Sequence, residues 1–426
     1  MFKALKKWIA FVCVLAVGIA AFQVVTDKRS GRTAEAAGVE ELRGVWVASV
    51  YNIDFPSKPG VSTSQMKQEI DTILNNVQAI GGNAVFFQVR PVADALYPSE
   101  VFPWSAYLTG TQGQAPADGF DPLAYMISEG KKRNIGVHAW INPYKVTRGS
   151  AASPSHDLNA LAENNPARLY PEIVVKHPNG EMYLDPGQPM SRYLVLQGVQ
   201  ELVSKYDIAG IHYDDYFYPD KVAQKDAKGK IIGYSDFDDE ATYQKYGQGF
   251  ANKEDWRRNN VDQLVKDTQS LIKSIKPEVQ FGISPAAVWA NQSTNALGSA
   301  TNAGVQTYYD HYADTRKWAQ ENWIDYIAPQ IYWHIGFSTA DYATIASWWS
   351  EAVKGSNTKL YIGHAAYKVG DGSQNAAWQQ PDELLKQIQY NRSLGNVKGS
   401  IFYGYGNIAE NKLGIRDTLH DAFEGK

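Results

Sequence analysis

Eight short apolar runs constrain the fold of this chain more than any other feature of its sequence. The runs are rich in β-branched and aromatic side chains, as buried strands are, and a polar loop follows each of them. They cover residues 42–50, 83–90, 135–142, 208–215, 279–284, 324–333, 359–363 and 397–403.

Amphipathic segments with the spacing of helices lie between these runs. They cover residues 64–80, 121–134, 191–206, 255–275, 310–322, 340–353 and 381–394. Repeated alternation of strand and helix is typical of parallel sheets, and eight units predict a closed (β/α)8 barrel of the TIM type. The alternative is an open doubly wound sheet with an added domain. No Gly-rich phosphate-binding turn follows the early runs, so the sequence favours one α/β barrel domain over residues 37–426.

Three of the predicted loops are long enough to build a binding site. They follow the second, third and fourth strands, at about residues 91–120, 143–190 and 216–254. The active sites of (β/α)8 barrels lie where the carboxyl ends of the strands meet such loops. We therefore expect the functional residues at the strand ends.

The first 36 residues have the features of a signal peptide. Lys3, Lys6 and Lys7 precede an apolar stretch, and residues 34–37 provide small side chains for cleavage. Because the cleavage site is far from the apolar stretch, an uncleaved N-terminal anchor is the alternative, and only the anchor would attach the protein to a membrane. Both interpretations predict a bacterial protein outside the cytoplasm, either secreted or associated with the cell envelope.

The composition excludes several classes of function. The only cysteine, Cys13, lies in the apolar stretch, so the exported part would have no disulfide, no disulfide-linked partner and no zinc–thiolate site. The eight histidines are scattered and no HExxH motif occurs, so we expect neither a metal site nor a cofactor. A net charge of −4 predicts no basic surface for a nucleic acid.

Polar and aromatic residues collect at the predicted strand ends, where they are suited to holding a neutral molecule rich in hydroxyl groups. The candidates for substrate binding are Arg90, His138, Asn142, Tyr144, His212, Tyr332, Trp333 and Tyr403. For the two histidines the alternative is a hydrogen-bonded core residue. For Tyr332 and Trp333 the alternative is an ordinary core aromatic residue.

Two adjacent aspartates, Asp214 and Asp215, end the fourth run. Side chains alternate along a strand, so one of them can point directly into the barrel mouth, and we expect this to be Asp214. Asp215 would lie just past the strand, where it binds a neighbour or a substrate hydroxyl group, or caps a turn or helix. The alternative for Asp214 is a salt bridge to Arg90.

An acid at this position is suited to glycoside hydrolysis, in which one carboxyl group protonates the leaving oxygen and a second is the nucleophile or base. Asp94, shortly after the second strand, is the first candidate for the second carboxylate, and Glu100 and Asp215 are alternatives. A substrate-assisted reaction with an acetamido nucleophile would need fewer protein acids. No GxSxG motif supports a serine nucleophile.

Nine motifs, in order along the chain, resemble the glycosyl hydrolase-like 10 family, also called domain of unknown function 187. They are RGVWV, FFQVRP, DALYPSE, PWSAYLTGTQG, HAWINPYKV, GIHYDDYFYP, FGISPAAVW, YIAPQIYW and LYIGHAAYKVG, and the resemblance extends over about residues 43–406. One departure is Ala290, where many relatives have an arginine.

The resemblance implies a (β/α)8 barrel, export to the cell envelope and hydrolysis of peptidoglycan strands that have lost their stem peptides. It assigns the barrel mouth of the family to Asp94, Asn142, Tyr144, Asp214, Asp215, Tyr332 and Trp333. The sequence thus predicts an exported glycoside hydrolase acting on a cell-wall polysaccharide, with Asp214, Asp94 and Asp215 as catalytic candidates. The alternatives are a non-catalytic carbohydrate-binding barrel and a hydrolase of another extracellular polysaccharide.

Overall fold

Eight parallel strands form a closed barrel in the computed structural model, which describes residues 41–424. The strands are β1 (Leu42–Val47), β2 (Ala84–Arg90), β3 (Gly136–Ile141), β4 (Gly210–Tyr213), β5 (Gln280–Ile283), β6 (Tyr326–Ile327), β7 (Lys359–Ala365) and β8 (Val397–Tyr403). Each strand pairs with the next along the chain, and β8 pairs with β1. The predicted (β/α)8 barrel is therefore confirmed.

A helix follows each strand on the outside of the barrel. The helices are α1 (Thr63–Ala79), α2 (Pro122–Lys132), α3 (Pro189–Lys205), α4 (Lys253–Ile275), α5 (Thr315–Gln320), α6 (Tyr342–Ala352), α7 (Asp382–Ser393) and α8 (Ile415–Glu424). The first seven coincide with predicted segments, although α5 is shorter because Thr307–Asp310 forms a separate helical turn. The last helix, α8, was not predicted.

The long loops contain structure of their own. Two antiparallel hairpins lie in the connections, Val174–Lys176 with Met182–Leu184 and Val222–Lys225 with Ile231–Ser235. Four further short helices also lie there, at Ala106–Thr109, Pro166–Leu169, Glu240–Tyr246 and Tyr405–Ala409. Most of this structure follows β2, β3 and β4, as the sequence predicted. It surrounds the carboxyl ends of the strands.

Several strands end earlier than predicted, and two of these differences affect the site. β4 ends at Tyr213, so Asp214 and Asp215 lie beyond its last residue. β6 contains two residues, after which Gln330 makes isolated bridges to Ala286 and Gly363. Side-chain alternation therefore does not fix which way either aspartate points.

The barrel interior is filled by aromatic side chains, among them Trp46, Phe86, Trp140 and Tyr326. Tyr326 is fully buried, and a Cβ on Gly282 would lie 2.1 Å from its ring, so the glycine leaves the space that the ring fills. A second, larger core lies between the strands and the helices. Because the interior is packed, an open site forms only above it, at the carboxyl ends of the strands.

Residues 41–424 include no helix with the length and apolar character needed to span a membrane. The predicted signal peptide or anchor at residues 1–36, with Cys13, lies outside the described residues. Export of the protein therefore stays a prediction.

Candidate active site

A cavity of about 260 Å³ lies at the carboxyl ends of the strands. Strand ends and the loops after them supply its walls, which include Trp46, Gln88, Trp140, Asp214, Ser284, Gln330, Tyr332 and Tyr403. The lining mixes carboxylates, amides and aromatic rings. Such a surface is suited to a sugar, which has hydroxyl groups at its edge and apolar faces.

Asp214 lies in this cavity with a strongly perturbed carboxyl group. Its Oδ2 accepts a hydrogen bond from Trp140 Nε1 at 3.1 Å, and its Oδ1 accepts one from the Tyr216 amide at 3.4 Å. Burial raises the pKa of Asp214 to about 7, and the neighbouring Asp215 adds to this effect. A carboxyl group with this pKa can give and take a proton near neutral pH, as a general acid must.

Asp215 also lines the cavity and is half-buried. Burial raises its pKa, while the positive charges of His311 and Lys145 lower it. His311 is itself held by Asp220, whose Oδ1 lies 2.9 Å from Nε2 of the imidazole. Both aspartates therefore line the cavity, although alternation along a strand led us to expect that only Asp214 points directly into it.

Two cations share the cavity wall with the aspartates. Lys145 Nζ lies 3.0 Å from Oε2 of Glu181, and Arg148 Nη1 lies 3.0 Å from Oε1 of the same carboxylate. Burial lowers the pKa of Lys145, and the charge of Arg148 adds to this effect. Asn142 positions this loop, since its Oδ1 accepts a hydrogen bond from the Lys145 amide at 3.1 Å.

The two predicted histidines lie below the cavity and do not line it. Trp46 Nε1 donates to His212 Nε2 at 3.0 Å, so the proton of this imidazole is on Nδ1, which lies 3.0 Å from the hydroxyl of Tyr326. That hydroxyl in turn lies 3.2 Å from His138 Nδ1. Burial lowers the pKa of His138 to about 3 and that of His212 well below its usual value. Both are therefore neutral core residues that support the floor.

Aromatic rings form another wall. Tyr332 and Tyr403 line the cavity, and their rings stack at 6.1 Å with an interplanar angle of 10°. Tyr367 meets both rings edge-on, each at 5.8 Å. Trp333 instead stacks on Phe337 at 6.4 Å and is not part of the lining.

Three other candidates lie outside the cavity. The guanidinium of Arg90 packs on Phe102, 3.9 Å from the ring centre, and faces α3, so it forms no salt bridge with Asp214. Asp94 is buried beside Gln112, which donates to its Oδ2 at 3.4 Å, and burial raises its pKa to about 6. Tyr144 is fully buried.

Neither Glu100 nor Ala290 belongs to the lining. Glu100 is on the surface, where it pairs with Lys205 at 3.0 Å. Ala290 is buried, and its carbonyl accepts a hydrogen bond from Ser299. The two cavity carboxylates are therefore Asp214 and Asp215.

Several lining residues were not predicted, namely Lys145, Arg148, Tyr216 and Tyr51. Lys145 and Tyr216 belong to the quoted motifs HAWINPYKV and GIHYDDYFYP, but their spacing gave no reason to single them out. Tyr51 and Asn52 have φ angles of 54° and 53°, a conformation that costs free energy in non-glycine residues and often marks functional sites. The Asn52 side chain stabilises it by donating to the carbonyls of Pro56 and Tyr107.

Within residues 41–424 no group of histidine, cysteine, aspartate or glutamate residues has the arrangement of a metal site. The charged residues that line the cavity are Asp214, Asp215, Lys145 and Arg148. Carboxylates and aromatic rings at the carboxyl end of a (β/α)8 barrel are the groups that glycoside hydrolases of this fold use.

The chain is a member of the glycosyl hydrolase-like 10 family, whose sequence profile matches residues 41–380. It is 49% identical over 387 residues to glycosyl hydrolase YngK of Bacillus subtilis, covering 91% of this chain and 72% of that protein. It is 40% identical over 382 residues to glycosyl hydrolase DigH of Escherichia coli K12, covering 85% of this chain and 83% of that protein.

Two solved structures show the same fold. The glycoside hydrolase domain of PgaB (BpsB) from Bordetella bronchiseptica has a TM-score of 0.53 at 12% identity, covering 90% of this chain and 99% of that one. Alpha-L-fucosidase isoenzyme 2 from Paenibacillus thiaminolyticus has a TM-score of 0.51 at 16% identity. The match covers 90% of this chain and about half, 49%, of the fucosidase chain. At these identities the similarity concerns the fold alone.

Proposed function

We propose that the protein is an exported glycoside hydrolase that cleaves a cell-wall glycan, with peptidoglycan strands lacking stem peptides as its substrate. The observation that carries this proposal is the pair of carboxylates, Asp214 and Asp215, in a cavity walled by aromatic rings. Family membership supports the reaction type. The predicted signal peptide at residues 1–36 supports a site of action outside the cytoplasm.

The positions of the two aspartates favour a substrate-assisted reaction. In retaining enzymes with a protein nucleophile, the two carboxyl groups flank the scissile bond about 5–5.5 Å apart. Consecutive residues have Cα atoms about 3.8 Å apart, and here both follow the same strand end. Asp214 and Asp215 therefore lie in the same part of the cavity wall, and we propose that a 2-acetamido group of the substrate, in place of a protein nucleophile, attacks C1.

In this reaction Asp214 is the general acid. Its protonated carboxyl group gives the proton to the glycosidic oxygen as the C1–O bond breaks, and the acetamido oxygen forms a bond to C1. The carboxylate of Asp215 accepts the acetamido N–H and offsets the positive charge on the oxazolinium ring. Water then attacks C1 and gives a proton to Asp214, which restores both the acetamido group and the acid.

The test is digestion of purified glycan strands, with and without stem peptides, analysed by mass spectrometry. The wild type should cleave the peptide-free strands. Asp214→Asn should not, because the amide of asparagine cannot protonate the glycosidic oxygen. Asp207→Asn is the matched control, since this side chain is 79% exposed and pairs with Lys131 on the surface. If the wild type cleaves neither strand, the proposal fails in favour of a carbohydrate-binding barrel or another substrate.

A further inference from the structure

One corner of the cavity carries more positive charge than its own acid balances. It consists of Lys145, Arg148 and Glu181, and we call it the cation corner. Each oxygen of the Glu181 carboxylate lies 3.0 Å from one of the two cations, so two positive charges share one negative charge. Both cations line the cavity, and Glu181 is buried behind them.

The two cations differ in what they can offer a bound molecule. Lys145 is 3% exposed, and its charge acts on both Asp214 and Asp215. The side chain of Arg148 is 26% exposed. Among the residues that the structure describes, its ion-pair partner is Glu181, through Nη1, and its Nε has no hydrogen-bond partner. Arg148, which is partly exposed and lines the cavity, is therefore the cation that a ligand can reach, while Lys145 serves the aspartates.

A guanidinium with available donors in a partly buried position is suited to a carboxylate, which it can bind through two parallel hydrogen bonds. Tyr51 supports this guanidinium, since Arg148 Cζ lies 5.1 Å from the centre of its ring. Hydroxyl groups of a neutral sugar would form no ion pair with this guanidinium.

We infer that the cation corner binds a carboxylate attached to the sugar of the substrate, with Arg148 as a specificity-determining residue. The inference rests on the proposed function and narrows its substrate to an acidic glycan. In a peptidoglycan strand, the lactyl group of each N-acetylmuramyl residue ends in a carboxyl group. When no stem peptide is attached, that carboxyl group is a free anion. When a stem peptide is attached, the group is a neutral amide. The cation corner would therefore select strands without peptides.

The experiment measures binding by the full chain carrying Asp214→Asn, which does not consume the ligand. The probes are peptide-free peptidoglycan strands, the same strands with their carboxyl groups reduced to alcohols, chitin oligosaccharides and hyaluronan fragments. Strands with free carboxylates should bind about 10- to 100-fold more tightly than reduced strands, the range for a charge-assisted hydrogen bond. Chitin should bind like the reduced strands.

A second substitution tests the role of Arg148 directly. With Arg148→Gln added, both forms of the strand should bind equally, and with Arg148→Lys part of the preference should return. Arg416→Gln on α8 is the matched control outside the cavity and should keep the full preference. Thermal unfolding of each variant shows whether it is folded.

The outcomes separate this inference from the proposed function. Equal binding of free and reduced strands overturns the inference, even if the wild type cleaves both. Preference for free carboxylates without cleavage by the wild type overturns the hydrolase proposal and leaves the inference standing. Tighter binding of hyaluronan than of the peptide-free strands supports a carboxylate site whose natural ligand is a uronic acid.

Discussion

Replacing Trp140 with phenylalanine should raise the pKa of Asp214 and move the alkaline limit of activity upward. The indole Nε1–H donates to Asp214 Oδ2 at 3.1 Å and so stabilises the ionised carboxylate. Phenylalanine keeps an aromatic ring in the wall but donates nothing. A hydrogen bond to a charged acceptor contributes about 1.5–3 kcal/mol, which corresponds to roughly a 10- to 150-fold change in the protonation equilibrium.

The assay is kcat/KM for peptide-free strands as a function of pH. In the proposed reaction Asp214 must start protonated, so wild-type activity should fall as the pH rises through about 7, the pKa of this group. In Trp140→Phe the fall in kcat/KM should occur at a pH about 1 to 2 units higher than in the wild type. Trp46→Phe is the control, because it removes a donor to His212 at 3.0 Å and leaves the bond to Asp214 intact. An alkaline limit that stays in place, or moves down, in Trp140→Phe would refute the assignment of Asp214 as the acid.

Four further substitutions test the site and its support. Asp214→Asn should raise the Tm by an amount that grows as the pH rises from acid to about 7 and is constant above it. The pKa of Asp214 is about 7 in the folded protein, which is above its value in the unfolded chain. The stability that the protonated carboxyl group contributes is therefore complete below the unfolded pKa and is lost as the pH rises through the folded pKa. Asparagine does not ionise and so avoids this loss. Gly198→Ala should destabilise the fold by about 1–3 kcal/mol in denaturant unfolding, because its Cβ would lie 2.4 Å from Arg90 Nη1. Asp215→Asn should lower kcat/KM strongly, because the variant lacks the carboxylate that offsets the charge on the oxazolinium ring. Asp94→Asn should leave kcat/KM within a few-fold of wild type, and an equally large loss there would contradict the position of Asp94 outside the cavity.

The barrel could be predicted because its periodic pattern is strong along most of the chain. Two segments are exceptions. Residues 324–333 are mostly buried, yet only Tyr326 and Ile327 pair as a regular strand. Beyond them Gln330 makes isolated bridges to the segments on both sides, so an irregular segment buries apolar side chains here as a strand would. α8 was missed although its apolar residues have helical spacing and pack against the core, namely Ile415, Leu419, Ala422 and Phe423.

The position of Arg90 shows why strand ends are harder to predict than strands. Phe86 lies inside the barrel and Gln88 lines the cavity, so simple alternation would bring Arg90 to the same side. The pairing of β2 with β3 shifts register between Gln88 and Arg90. An irregularity of this kind redirects the side chains beyond it, and Arg90 accordingly packs against Phe102 and α3. Asp94 follows that irregularity and lies outside the cavity as well.

The cation corner could not be predicted from the sequence because it depends on a contact between distant parts of one loop. Lys145 and Arg148 follow β3, whereas Glu181 precedes the second strand of the hairpin that folds back over them. Glu181 fixes Lys145, whose charge lowers the pKa of Asp214, and it also fixes Arg148. The pKa of Asp214, the proposed general acid, and the proposed preference of the cavity for a carboxylate are therefore linked through one buried carboxylate, and a change at Glu181 should alter both together.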